Sequence, residues 1–317
     1  MLILLRAQRR QSRRLITTGS PTTRPGPWVA SSVPAPLERM IAALSVRRAC
    51  CLLLVCSLAA TTAAAADEFD VGSAGKRDSD PVGRVARARV RLSDSLPAAF
   101  LAQGVRWPPR EVFLRAIKQE EDGRPGVLEL WAGNGGAPLA LVLSHRICAL
   151  SGTAGPKRRE GDLQIPEGYY QISLLNPRSI FHLSLQIDYP NASDRIRGRL
   201  DDPRAALGDA IMVHGDCVTI GCIPIQDEPI EEVYLSVAAA LARGPVPIHI
   251  FPRRLPDAAA LQALQTTTTD PRTQTLWAEL AMGWQAFEAT RRVPRVRVLV
   301  NGDYDVQPTL PPGRRTQ

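Results

Sequence analysis

Short apolar runs of strand length follow one another from Arg110 onward: Val127 to Trp131, Leu139 to Leu143, Arg146 to Leu150, Tyr170 to Leu174, His182 to Ile187 and Ala210 to His214. Clusters such as Gly133-Asn134-Gly135-Gly136 and Asn176-Pro177 separate them, which is the punctuation of a β-rich domain. The period then changes. Ile230, Val233, Tyr234, Val237 and Leu241 recur at helical spacing, with Asp227 as the expected N-cap, Pro229 in the first turn and Gly244-Pro245 as the stop. Pro247 to Phe251 returns to a strand. Asp257 to Thr268 and Pro271 to Arg291 read as helices, the second with Leu276, Trp277, Leu280, Trp284 and Phe287 along one face. A last strand, Val296 to Val300, precedes a Pro-rich tail. Many strands, one helix and a strand predict an α+β domain over 109–254, built on a curled, barrel-like mixed sheet with a capping helix. A C-terminal helical extension follows over 255–317.

The N-terminal third has other characters. Residues 67–108 are rich in Asp, Arg, Ser, Gly and Pro and read as a mobile segment with one short helix near Leu96 to Leu101. Residues 1–66 read as a leader: Arg47 and Arg48 precede the apolar stretch Ala49 to Ala60, and Ala63 to Ala66 follow, as in a secretory signal peptide. The apolar core falls short of the roughly twenty residues a spanning helix needs. Met40 is the expected start of translation, and an uncleaved anchor is the alternative to cleavage.

Charge and cysteine content follow this division. The leader holds nine arginines against Glu38 alone; removing them from 39 basic and 31 acidic residues leaves 30 of each. The basic balance therefore belongs to the leader, and a nucleic-acid partner is excluded as a reading of net charge. Export places the remaining Cys148, Cys217 and Cys222 where disulfides form. Three is odd, so at least one thiol stays outside an intrachain disulfide and asks for a chemical role.

The run Ile211 to Gln226, IMVHGDCVTIGCIPIQ, supplies one. A thiol needs a base within hydrogen-bond reach to become a nucleophile, and glycine lets backbone donors crowd the atom it attacks. His214 and Cys222 read as base and nucleophile. The backbone N–H groups of Gly221 and Cys222 are the candidate oxyanion donors. A free thiol ionises near pH 8.5, and an adjacent imidazole lowers that. The blander readings are a buried cysteine in the core, and a zinc site of His214, Cys217 and Cys222 completed by His145, His182 or His249. Cys217 is a buried spectator, a Cys222 disulfide partner or a second thiol. His249 is a packed strand residue, and His182 and Ser184 share a strand face that could border the cleft.

The motifs His214-Gly215 and Thr219-Ile220-Gly221-Cys222 resemble the signature of the L,D-transpeptidase (YkuD-type) catalytic domain. The YafK-like branch is closer still, on Gly155-Pro156-Lys157, Glu160-Gly161-Asp162, Pro166-Glu167-Gly168-Tyr169-Tyr170, Tyr189-Pro190-Asn191, Val213-His214-Gly215-Asp216-Cys217 and His249-Ile250-Phe251-Pro252. The resemblance spans about Val112 to Arg254. It implies the L,D-transpeptidase fold and a cysteine acyl transferase acting on peptidoglycan stem peptides through a thioester on Cys222, with the Gly215 carbonyl orienting His214. It implies no cofactor and no metal. Compared with the commoner pattern, the gap between base and cysteine is short, Ile220 stands where His is frequent, and Pro224 replaces a frequent Arg; the YafK-like branch shares these features. Lys157 and Arg195 are the candidate replacements for that Arg, with solvated surface charge as their alternative. Tyr169 and Thr219 complete the candidate substrate contacts.

The expected protein is thus periplasmic. An amine acceptor gives a cross-link, and water gives an amidase, including release of an outer-membrane lipoprotein from peptidoglycan. A catalytically inactive peptidoglycan-binding module is the other reading. Catalysis requires the imidazole and the sulfur to lie together at the mouth of a sheet-built groove.

Overall fold

The first strand is buried along almost its whole length although two cations interrupt it. That strand, β1 (Glu111–Gln119), carries Arg115 and Lys118 among apolar residues, and no predicted run corresponds to it. The structure is a computed structural model that describes residues 80–311. The leader, its signal peptide and residues 67–79 lie outside the described residues.

Seven further strands complete one sheet: β2 (Pro125–Gly133), β3 (Ala140–Arg146), β4 (Gly168–Asn176), β5 (Ser184–Ile187), β6 (Met212–His214), β7 (Ile223–Pro224) and β8 (Pro247–Phe251). The order is β3-β2-β1-β8-β4-β5-β6-β7. Pairs β1–β8 and β6–β7 are parallel and the others antiparallel, so the sheet is mixed. It curls until its edges meet: Cys148, just past β3, donates its N–H to the Pro224 carbonyl of β7 at 3.0 Å. The predicted curled α+β architecture is what the chain forms.

One main core fills the concave side. Helix α4 (Asp227–Leu241) buries Ile230, Val233, Tyr234 and Val237 there, as its spacing predicts. Its N-cap differs from expectation. Gln226 holds that position at φ 71° without a side-chain cap, and the Asp227 carboxylate accepts instead from the Asp216 N–H at 2.7 Å. Ahead of β1, residues expected to be mobile form α1 (Pro81–Arg91), and the short helix expected near Leu96 to Leu101 is α2 (Ser95–Ala102). Ala88, Leu96, Phe100 and Val105 anchor them in the core. Arginines elsewhere on α1 hide its spacing in the sequence. Helix α3 (Ala192–Asp201) has no predicted counterpart either, although its Asn191–Asp194 capping box is present in the chain. The two runs expected at Leu139 to Leu143 and Arg146 to Leu150 are one strand and an irregular stretch.

The opposite face is covered by α5 (Ala258–Gln265) and α6 (Pro271–Thr290), the latter burying Leu276, Trp277, Leu280, Trp284 and Phe287 as expected. A hairpin, β9 (Arg295–Val298) and β10 (Tyr304–Gln307), closes the described chain; only its first strand was expected. Among the described residues, no helix is long and apolar enough to cross a membrane.

Candidate active site

Strand register decides which side chains share a face. Val213 pairs with Ile223 and His214 with Pro224 in the parallel β6–β7 ladder, while His214 pairs with Ser184 in β5. Val213 and Ile223 point into the main core. Alternation therefore puts Met212, His214, Cys222 and Pro224 on the other face. Cys222 lies beside Met212, whose N–H donates to Sγ at 3.4 Å, and the thiol points to the Ala210 carbonyl at 3.9 Å. Cys222 is not in a disulfide. Base and cysteine thus reach one face of two adjacent strands.

The Gly215 carbonyl contacts His214 Nδ1. A carbonyl only accepts, so Nδ1 carries the proton and Nε2 is left with its lone pair. That Nε2 is buried without a hydrogen-bond partner. Burial pushes the imidazole down to about 4, against the opposing influence of the Gly215 hydrogen bond and the Asp216 and Asp227 charges. At neutral pH it is an uncharged base. Gly215 is required by space as well: a Cβ there would lie 2.5 Å from Asp227 Oδ1 and 2.9 Å from His182 Cβ.

The expected groove mouth is corrected. His214 is 1% exposed and Cys222 2%. The Phe181 ring lies 4.7 Å from the imidazole, and Ala210 and Met212 enclose the sulfur. Clefts of about 310 and 560 Å³ open elsewhere, one between α1, α2 and α4, the other near the C-terminal end of α4; neither is lined by the pair. In so dry a setting an imidazolium–thiolate pair is penalised.

The expected oxyanion donors are also engaged. Thr219 Oγ1 accepts from the Gly221 N–H at 3.2 Å and the Cys222 N–H at 2.8 Å. It donates in turn to the Cys222 carbonyl at 2.7 Å. Thr219, expected to touch substrate, therefore spends its hydroxyl inside its own turn. Gly221 sits at φ 133°, where a Cβ would come within 3.1 Å of the Gln164 carbonyl.

The other expectations separate. Cys217 is bonded to Cys148, which ties the 216–221 turn to the end of β3 and rules it out as a spectator, a zinc ligand or a partner of Cys222. Lys157 is buried, not solvated, and holds Asp162 at 2.6 Å and the Arg159 carbonyl at 2.8 Å. Asp162 also accepts from the N–H groups of Arg158, Arg159 and Gln164, so the ion pair shapes the loop beside Gly221. Arg195 is exposed and turned to the Pro190 carbonyl on α3. Tyr169 is buried against α6, its hydroxyl donating to the Glu279 carbonyl at 2.8 Å, which makes it a packing residue. His249 packs between Phe113 and Tyr169 as expected. His182 precedes β5 at φ 66° and bonds Glu231 at 2.7 Å, so it does not share a strand face with Ser184. Ser184 does face the site. It pairs with His214, and its Oγ is buried without a hydrogen-bond partner; strand alternation in the sequence is the signal for it.

No protein-family model matches the chain. The chain is 35% identical over 203 residues to YafK of Escherichia coli (strain K12), which bears the name of an L,D-transpeptidase, covering 63% of this chain and 75% of that protein. The YafK of Escherichia coli O157:H7 gives the same figures. Among solved structures, the helical cell shape determining protein Pgp2 from Campylobacter jejuni superposes with TM-score 0.35 at 14% identity, over 59% of this chain and 72% of that one. A single-residue variant of Pgp2 gives TM-score 0.35 at 16% identity, over 57% of each chain. Likenesses that loose add nothing to the argument. The identity with YafK, carried over three quarters of that protein's length, shows that this chain belongs to the L,D-transpeptidase family, in its YafK-like branch.

Proposed function

We propose that the protein is a periplasmic cysteine acyl transferase acting on peptidoglycan stem peptides, with Cys222 as nucleophile and His214 as base. One observation carries the reading. The Gly215 carbonyl fixes the proton of His214 on Nδ1, leaving a basic Nε2 without a partner on the sheet face that holds Cys222. In the first step Nε2 takes the thiol proton as sulfur attacks the stem amide carbonyl. The C–N bond breaks, the departing amine takes the proton from the imidazolium, and a thioester remains. An amine then yields a cross-link, or water yields hydrolysis, and the thiol is restored. The hydrolytic outcome includes release of a peptidoglycan-linked lipoprotein. For either, the cover over Gly221 and Cys222 must part to admit the substrate.

That cover, together with the engaged N–H groups, favours a second reading, a peptidoglycan-binding module without turnover. The deciding experiment incubates purified protein with sacculi and analyses the muropeptides by mass spectrometry. The proposal expects new cross-links, or stems or lipoprotein set free, with all changes absent in Cys222→Ser. Unchanged sacculi with a folded protein and a reduced Cys222 would overturn it in favour of the binder.

A further inference from the structure

The turn before the nucleophile is closed by a hydroxyl with no bonding capacity to spare. Thr219 Oγ1 accepts twice, at 3.2 and 2.8 Å, and donates once, at 2.7 Å. A Thr side chain bonding N–H groups two and three residues ahead is an ordinary local motif. Which N–H groups it takes is not ordinary here. They belong to Gly221 and to the nucleophile Cys222, and a transition-state oxyanion requires donors at 2.7–3.1 Å from where it will sit. The hydroxyl oxygen meets that distance from the Cys222 N–H and lies just beyond it from the Gly221 N–H. The positive φ of Gly221 sets the angle between its peptide plane and the rest of the turn, and the Gln164 carbonyl lies 3.1 Å from where a Cβ would stand.

We infer that Thr219 Oγ1 is the resting occupant of the oxyanion hole, a competing acceptor that engages the Gly221 and Cys222 N–H groups until the oxygen of the attacked carbonyl displaces it. This rests on the nucleophile assignment above. The exchange conserves hydrogen bonds, since two N–H donors pass from a hydroxyl to a developing oxyanion. The freed hydroxyl keeps its donor bond to the Cys222 carbonyl or turns to solvent. As the sulfur–carbon bond forms, the carbonyl π pair moves onto oxygen and the two N–H groups bind it; on collapse that pair re-forms the carbonyl, the leaving-group bond breaks, and the N–H pair returns to Thr219. The arrangement spares two buried donors from standing empty between turnovers, which would cost about 1–3 kcal/mol for each.

The test compares two reagents on Cys222. Acylation by 4-nitrophenyl acetate passes through an oxyanion; alkylation by iodoacetamide does not. Access to the buried sulfur affects both, so their rate ratio isolates the hole. Thr219→Val removes the competing hydroxyl at nearly constant volume and is expected to raise the ester-to-iodoacetamide ratio about tenfold, the worth of roughly one hydrogen bond. Thr219→Ser, which keeps the hydroxyl, is expected to stay within about twofold of the parent, on the same reasoning. An unchanged or lowered ratio in Thr219→Val overturns the inference. Should that variant not fold, the unaltered protein gives a second reading. Adding acetaldehyde, which forms a hemithioacetal on Cys222, should move the amide signals of Gly221 and Cys222 together in a nitrogen-15 spectrum. Movement of Cys222 alone overturns it. If Cys222 reacts with none of these reagents, the nucleophile assignment fails and the inference falls with it.

Discussion

Two of the polar centres buried among the described residues are finished differently. At the first, Lys118 and Glu167 form an ion pair at 2.8 Å, their side chains 2% and 0% exposed. Lys118 Nζ also donates to the carbonyls of Thr153, Gly155 and Ile165, and Glu167 accepts from the Gly155 N–H and the Trp277 indole. Neither charge there is left without partners, and the result is a knot joining β1, the 151–167 loop and α6. At the second, His214 has one nitrogen held by Gly215 and the other, as deeply buried, held by nothing. Ser184 Oγ beside it in register is likewise unsatisfied. Burying a polar group without a partner costs free energy and is tolerated where the group has another use. A saturated centre holds shape; an open one is where chemistry can enter.

The contrast is broken most forcefully at the open centre. His214→Ala should lower the rate at which Cys222 takes up iodoacetamide at pH 7 by about a hundredfold, the usual worth of a positioned base. Unfolding stability should hold or improve, because the substitution removes an unsatisfied nitrogen. Equal labelling rates in the parent and the variant would mean that the imidazole does not act on the sulfur.

The saturated centre should respond in the opposite currency. Glu167→Gln removes the charge that balances Lys118 and is expected to cost about 3–5 kcal/mol, read as the shift of a urea unfolding curve. Both variants can be measured at a temperature where each is folded. There, Glu167→Gln should leave the His214 dependence of labelling in place. A loss under about 1 kcal/mol would show that the knot is screened by water and would remove the distinction drawn here.

Legibility in the sequence followed the same line. Helices α4 and α6 were readable because their apolar spacing is uninterrupted, and the contact of the Gly215 carbonyl with His214 because the two are adjacent in the chain. Strand β1 was hidden because Arg115 and Lys118 break its pattern, and only partners distant in sequence, Glu129 and Glu167, make them tolerable inside. Lys157 was read as a surface charge or an anion ligand although Asp162, which neutralises it, stands only five residues on. The Cys148–Cys217 bond spans 69 residues and depends on the sheet curling until its edges meet. Spacing along the chain carries none of that. Nor does it show that Thr219 fills the site it precedes.

Acid should sharpen the contrast next. Burial holds His214 at about 4 and His249 at about 3. In the unfolded chain both take protons near pH 6.5, so stability is fully present above that pH and is lost as pH falls toward 4 and 3. For His214 the loss is about 3 kcal/mol. Asp194 works the other way: burial raises it to about 6, so the folded state binds its proton more readily than the unfolded one and gains stability as pH falls through that range. The clean observable is therefore a difference. The fall in stability from pH 6.5 to 4 should be smaller in His214→Asn than in the parent by about 3 kcal/mol, measured by urea unfolding at each pH. Identical pH profiles would place the imidazole in water and dissolve the contrast at its source.

Tyr169 gives the smallest effect and the finest discrimination. It was counted among the candidate substrate contacts, yet its hydroxyl is closed off by the Glu279 carbonyl at 2.8 Å. Gly283 leaves room for it, since a Cβ there would stand 2.1 Å from the hydroxyl oxygen. Tyr169→Phe keeps the ring against His249, Phe251 and Tyr304 and deletes one neutral hydrogen bond to a helix carbonyl. The expected cost is about 1 kcal/mol of stability. Turnover on sacculi should be unchanged in both kcat and KM, because a saturated group has no bond left to offer a substrate. A KM raised about tenfold, the loss of a hydrogen bond made to the substrate, would return Tyr169 to the reacting centre. It would also mean that α6 moves aside on binding, and burial in the resting molecule would no longer separate the groups that hold shape from those that react.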